Sequence, residues 1–214
     1  MTPFLLVLSS PSGGGKTTLA RMLLQGRGDL GYSVSATTRP KRAGERDGED
    51  YHFLSRDEFE RRRAAGEFLE WATYGGEFYG TLKSEIDRIL AQGRHAVLDI
   101  EVEGARQLRR LYPSAVLVFV LPPSAAVLLQ RLQGRRTESP AALRARLSRA
   151  AEELAAVAEY DYVVINDDLV LAVRQVGAIL DAEGRRVARQ KSLTELVAAL
   201  RRDLAAAAQR AAAQ

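Results

Sequence analysis

The 214-residue sequence predicts an α/β protein: a mainly parallel sheet flanked by helices. Three observations carry this. Four short runs, Phe4–Leu8, Ala96–Ile100, Ala115–Leu121 and Tyr162–Ile165, are apolar at successive rather than alternate positions, as strands buried on both faces must be. Segments with helical spacing and helix-starting residues stand between them. Prolines and glycines punctuate the junctions, as at Pro122-Pro123. Alternating strands and helices require right-handed crossovers, which gather the loops at the strands' C-terminal ends into one ligand-binding edge.

The first strand, Phe4–Leu8, runs into Ser9-Ser10-Pro11-Ser12-Gly13-Gly14-Gly15-Lys16-Thr17-Thr18. Leu19, Ala20, Met22, Leu23 and Leu24 follow at the spacing of a helix packed on that strand. Strand, glycine-rich turn, Lys-Thr and helix, in that order, form a phosphate-binding loop. Glycines let successive backbone N–H groups turn inward on a phosphate, and the helix start adds further unpaired N–H groups and its positive dipole end. Ser12, Gly13, Gly14, Gly15, Lys16, Thr17 and Thr18 would then cradle the phosphates of a nucleotide, with Lys16 reaching the β- and γ-phosphates and the Thr17 hydroxyl on Mg²⁺. A plain glycine hairpin would not need Lys-Thr after it. One position departs from the pattern: Ser10 stands where the loop normally has its first glycine.

Gly26 to Gly31 reads as a loop and Tyr32–Ser35 as a short strand. The polar stretch 36–51, rich in Arg and Gly, ends at a strand over Tyr51–Leu54; composition alone fits a solvated loop and a binding loop equally. Ser55-Arg56-Asp57-Glu58 is a capping box opening a helix to about Ala65. Glu67–Tyr74 and Glu77–Tyr79 alternate as a hairpin turned at Gly75-Gly76, and a helix covers Leu82–Ala91. The strand Ala96–Ile100 carries Asp99 at its end, where a phosphate-loop protein holds Mg²⁺ or its water shell. Ala115–Leu121 is the most apolar run and the best candidate for a central strand, with Ser124 capping the helix after it. Arg131 to Glu138 is an arginine-rich turn, after which Ser139-Pro140 restarts a helix carrying Arg144, Arg146 and Arg149. Such a basic turn between two helices can close over a triphosphate and exclude water. Tyr162–Ile165 is the last strand, and Asn166-Asp167-Asp168 leads into a helix. A second capping box, Ser192 to Glu195, starts a stripe of Leu193, Leu196, Val197, Leu200 and Leu204; beyond Ala205 there is little to bury and fraying is expected.

Composition narrows the function class without fixing it. With 46% hydrophobic and 27% charged residues the chain reads as globular rather than disordered. No apolar run approaches the ~20 residues of a membrane helix, and the N-terminus lacks a secretory n-region, so no membrane role is expected. The absence of cysteine excludes disulfides and thiolate metal sites and fits a cytoplasmic location. The net charge of +4 comes mostly from Arg, which phosphorylated substrates need as much as nucleic acid does. No aromatic-rich basic motif supports nucleic-acid binding.

Taken together, the motifs resemble those of guanylate kinases. The likeness rests on Ser35-Ala36-Thr37-Thr38-Arg39, Arg42-Ala43-Gly44-Glu45, Asp50-Tyr51, Phe68-Leu69-Glu70, Tyr79-Gly80-Thr81, Leu98-Asp99-Ile100 and Gly104. It continues through Leu121-Pro122-Pro123-Ser124 and Arg131-Leu132-Gln133-Gly134-Arg135. The resemblance implies a phosphate-loop core over 1–34 and 90–214, a small mixed α/β insertion over 35–89 that binds GMP, and a short helical lid over about 131–149. It implies phosphorylation of GMP, and of dGMP, by ATP with Mg²⁺. Arg39, Arg42, Tyr51 and Tyr79 match a clamp on the GMP phosphate; Ser35, Glu70, Thr81 and Glu101 match the groups reading guanine. Arg135 and Arg146 match the catalytic lid arginines, Arg131 is a further ATP contact, and Thr17 with Asp99 matches the metal site. Arg136 follows Arg135 where some members have Gly, and Glu101 stands where many have Asp. The competing reading is an inactive guanylate-kinase-like peptide-binding module, which typically lacks a working phosphate loop or lid arginines. Oligomeric state is not legible in the sequence.

Overall fold

The computed structural model describes residues 1–133 and 140–212. In chain order, its first part comprises β1 (Leu5–Ser9), α1 (Lys16–Gln25), β2 (Leu30–Tyr32), β3 (Ala36–Thr37), β4 (His52–Phe53), α2 (Arg56–Ala64), β5 (Phe68–Tyr74), β6 (Glu77–Leu82) and α3 (Lys83–Ala91). β7 (His95–Asp99), α4 (Val102–Leu111), β8 (Val116–Leu121), α5 (Ala125–Gln133), α6 (Pro140–Ala155), β9 (Tyr162–Ile165), α7 (Leu169–Arg185) and α8 (Leu193–Ala212) follow. Five strands form one sheet in the order β2-β7-β1-β8-β9, every neighbouring pair parallel. A second sheet, β4-β3-β6-β5, is mixed: β3 and β4 are parallel, and β6 runs antiparallel to both its neighbours.

Successive side chains of a strand point to opposite faces, and both faces of the main sheet are covered. Leu6 and Leu8 of β1 pack with Leu19 and Leu23 of α1 and with Val176 and Leu180 of α7. Leu5 and Val7 point the other way, toward Ile86 and Ile89 of α3 and Leu108 of α4. Each such side chain gains ~1.5–3 kcal/mol from full burial, which is why the strand has no polar position until it reaches Ser9. The second sheet has its own small core, where the Phe59 ring of α2 stacks on Phe68 at 4.3 Å. Leu128 and Leu132 of α5 meet Leu147 and Ala150 of α6 in a further cluster.

The structure moves several expected elements. The strand expected at 32–35 lies at Leu30–Tyr32, because buried Leu30 pairs with His95 and Gly31 passes against Ile89 with no room for a side chain. Ser33 to Ser35 instead lead out to the second sheet. β8 is an interior strand, as its apolar run led one to expect, paired with β1 on one side and β9 on the other; β1 lies at the middle of the sheet, and burial alone does not order the two. α4 falls where the sequence showed no element. The Ser55 hydroxyl caps α2 by accepting from Glu58 N (3.1 Å), but the Glu58 carboxylate takes Arg61 and Arg62 rather than completing the box. α8 stays helical to Ala212 where fraying was expected, alanine having the highest helix propensity. Its stripe of Leu196, Val197, Leu200 and Leu204 is exposed. Among the described residues no helix is long and apolar enough to cross a membrane.

Candidate active site

The C-terminal ends of β1, β7 and β9 converge on one edge. The Ser9 hydroxyl donates to Ile100 O (2.8 Å), joining the exits of β1 and β7. Gly13 and Gly15 adopt φ of 85° and 92°, the left-handed region, and a Cβ on Gly15 would collide with the Asn166 amide. Ser10 is tolerated for a visible reason. Its backbone is not left-handed, its hydroxyl donates to Pro11 O (3.0 Å), and Gly14 makes room: a Cβ there would lie 2.7 Å from that of Ser10. The loop is braced from below, since Asn166 Nδ2 donates to Gly14 O (3.0 Å). Arg131 on α5 donates to Gly14 O (3.4 Å) and Asn166 O (3.2 Å). From α6, the Glu153 carboxylate accepts from Ser12 N (2.9 Å).

Lys16 opens α1, whose first turn therefore carries the loop's charge. Its Nζ lies 2.9 Å from Glu101 Oε1 and 3.6 Å from Asp99 Oδ1, while Thr17 Oγ1 donates to Asp99 Oδ2 (2.5 Å). Burial alone would push the Lys16 ammonium down, but Glu101 and Asp99 outweigh it and hold the pKa above the ordinary lysine value. Burial pushes the Asp99 carboxyl up, against Lys16 and the Thr17 hydrogen bond. Asp99 Oδ1 and Glu101 Oε2 are buried without a hydrogen-bond partner. Two carboxylates share one ammonium here, and an orphaned Asp99 oxygen beside the Thr17 hydroxyl fits a divalent cation. Among the described residues no group of three acidic or imidazole side chains could hold an ion unaided, so phosphate and water oxygens would complete the shell.

The second sheet supplies the facing wall. The Arg39 guanidinium lies over the Tyr51 ring (5.4 Å to the centroid) and is held by Glu45 in bidentate fashion at 2.8 and 3.1 Å. Tyr51 and Tyr79 meet edge-on at 6.0 Å. Burial, with Asp99 adding to it, pushes the Tyr51 phenol up to about 12, so it remains a neutral donor beside both Arg39 and the Lys16 cluster. Arg42 is exposed, and its backbone N–H donates to Glu45 (2.8 Å). Ser35 is buried, its carbonyl accepting from His52 N (2.9 Å). Thr18 is exposed in the first turn of α1. On α6, Arg146 Nη1 donates to Leu132 O (3.3 Å). Arg135, with Arg136, lies outside the described residues.

Glu70 is only 4% exposed. Thr81 Oγ1 donates to its Oε1 (2.6 Å), and α4 passes so close that a Cβ on Gly104 would collide with Oε2. Burial pushes this carboxyl up to about 7, with the Thr81 hydrogen bonds opposing and Glu101 adding. A native pKa above the unfolded 4.5 means that the folded state holds its proton longer. The resulting stability is complete below pH 4.5 and lost as pH rises toward 7, at a cost of about 3 kcal/mol. Glu70→Gln is therefore expected to raise the Tm of the nucleotide-free protein at pH 8 by several degrees and to leave it nearly unchanged at pH 4.5. An equal effect at both values would show that the Glu70 carboxylate pays no burial cost.

Sequence reasoning gave no role to Asn166 or Glu153. Asn166 had a signal, since like Asp99 it follows an apolar strand at its C-terminal end. Glu153 had none, being one of two adjacent glutamates on a helix that also carries three arginines.

The family model described as guanylate kinase matches residues 3–183. The guanylate kinase of Symbiobacterium thermophilum is 50% identical over 185 residues, 86% of this chain and 88% of that protein. That of Methylococcus capsulatus is 48% identical over 186 residues, 87% and 91% of the two chains. The crystal structure of guanylate kinase from Anaplasma phagocytophilum superposes with a TM-score of 0.76 at 34% identity, covering 92% of this chain and 94% of that one.

Proposed function

This chain belongs to the guanylate kinase family and phosphorylates GMP from ATP, and we propose how its residues divide that work. The phosphate loop from Ser12 to Thr18 binds the ATP phosphates, with Lys16 on the β- and γ-groups. Arg39, Arg42, Tyr51 and Tyr79 clamp the GMP phosphate, while Ser35, Glu70, Thr81 and Glu101 read guanine. Arg131, Arg135 and Arg146 bring charge from the lid. Thr17 and Asp99 would hold Mg²⁺, which when bound neutralises charge on the triphosphate oxygens. In this reading residues 35–89 form the acceptor-binding insertion of a core over 1–34 and 90–214, with the lid at about 131–149. dGMP is a second acceptor, and the protein works in the cytoplasm.

One observation supports this reading above the rest: Tyr51 lies within electrostatic reach of Lys16 and Asp99 while its ring supports Arg39. A donor phosphate on the loop and an acceptor phosphate on the clamp would thus be near neighbours. Neither needs a covalent enzyme intermediate, because the transferring group spreads its charge over three oxygens and positioning does most of the work. Lys16, turning from Glu101 to the triphosphate, would free that carboxylate for the guanine amino group. No observation favours a peptide-binding module, since the loop, Lys16 and Asp99 are assembled for phosphate.

Arg39→Ala tests the clamp. The variant is expected to weaken GMP binding by about tenfold or more, the scale of a charge-assisted bidentate contact, while guanosine binds wild type and variant equally poorly. Calorimetric titration with GMP and guanosine reads both. A variant that still distinguishes GMP from guanosine as wild type does would remove Arg39 from the clamp.

A further inference from the structure

α6 carries Arg146, Arg149 and Glu153 at steps of three and four, so the three side chains share one face. They reach different parts of the molecule. Arg146 bonds the end of α5, and Glu153 accepts from Ser12 of the phosphate loop. Arg149 crosses to the second sheet, where its guanidinium lies 4.3 Å over the Tyr74 ring, at the end of β5. Tyr74 meets Tyr79 edge-on at 6.2 Å, Tyr79 meets Tyr51 at 6.0 Å, and Arg39 lies over Tyr51. A continuous line of rings thus runs from α6 to the acceptor clamp.

The contact does not belong to either local core. α6 packs on α5 through Leu147 and Ala150, whereas the second sheet packs through Phe68 on Phe59 of α2. Arg149 and Tyr74 therefore join two bodies that are built independently, and the function proposed above uses neither residue. A lone exposed arginine would rest on whatever ring is near. This one sits one helical turn from Glu153, which fastens the same helix to the donor loop. We propose that Arg149 is a positioning residue that couples the two nucleotide sites: seated on Tyr74, it lets occupation of the donor loop favour the acceptor clamp, and the reverse. This rests on the two-site reading above. Coupling of this kind is reciprocal, and one cation–π contact at a partly exposed site supports an effect of a few-fold.

The test is the factor by which a non-hydrolysable ATP analogue tightens GMP binding, measured by calorimetry in wild type, Arg149→Leu, Arg149→Lys, Tyr74→Leu, Tyr74→Phe and the double leucine variant. Wild type is expected to show enhancement. Arg149→Leu and Tyr74→Leu should each reduce it by about threefold, and the double variant by no more than either alone. Tyr74→Phe, which keeps the ring, and Arg149→Lys, which keeps the cation, should retain most of it. GMP affinity without the analogue should stay within about twofold throughout. Undiminished enhancement in Arg149→Leu, losses that multiply in the double variant, or equal loss in Tyr74→Phe would overturn the coupling. Wild type binding both ligands without enhancement would overturn it too, leaving the kinase reading intact. Absence of any GMP binding by wild type would instead overturn that reading, and the coupling with it.

Discussion

Replacing Lys16 with methionine is expected to lower kcat by ~10²-fold or more while GMP affinity stays within about twofold. The reason is positional. Lys16 sits at the first turn of α1, against Asp99 and Glu101, and addresses charge that develops on the donor phosphates rather than on the acceptor. The contact strengthens as the phosphoryl group moves, so its loss falls on the transition state. Methionine keeps much of the stem's volume and removes only the cation. Its removal also leaves the Asp99 and Glu101 carboxylates facing each other without their counter-ion, so the Tm should fall as well. Turnover and GMP affinity are therefore compared at a temperature where both proteins are folded. Near-normal turnover there would remove Lys16, and with it the phosphate loop, from the mechanism.

Glu70→Gln is expected to cut kcat/KM for GMP by at least tenfold and to narrow its preference over AMP, with ATP affinity almost unchanged. Guanine offers N1–H and an N2 amino group as donors. Adenine offers an unprotonated N1 and no 2-amino group. A buried carboxylate accepts from the first edge and faces a lone pair on the second, and the polar atoms left unpaired there disfavour the wrong base. The rise of the Glu70 pKa to about 7 adds a pH signature. Ionised Glu70 is the better acceptor, so the preference for GMP should be weaker at pH 6 than at pH 8 in wild type and flat across that range in the variant. The same residue is expected to cost stability at pH 8, so Glu70 would exchange stability for selectivity. Undiminished preference for GMP in the variant would pass the role of base reader to Glu101.

The local parts of this molecule were legible because local rules made them. β1, β7, β8 and β9 announce themselves as uninterrupted apolar runs, and the Gly75-Gly76 hairpin by its turn. The phosphate loop needs particular residues at particular steps, so Gly13 to Thr17 could be read directly. What stayed hidden depends on packing between distant segments. Strand order is decided by which helix covers which face, not by how apolar β8 is. β3 is only two residues long and exists because β4 and β6 flank it. α4 reads as an ordinary charged segment until Val102, Ala105 and Leu108 are seen to share a buried face. Among site residues, Glu70 could be matched to a base-reading role, but its burial could not be read locally, because Gly104, 34 positions further on, closes it in. Glu153 and Tyr74 acquire meaning only when α6 lies across the cleft.

The most direct test of the whole account is ADP formation from ATP and Mg²⁺ with GMP, dGMP, AMP, CMP and UMP offered separately to the wild-type protein. GMP and dGMP should support rapid ADP formation, AMP should be disfavoured by as much as ~10⁴-fold in kcat/KM, and CMP and UMP should give no more ADP than ATP alone. Equal rates with AMP and GMP, or no ADP above background with any acceptor, would contradict it.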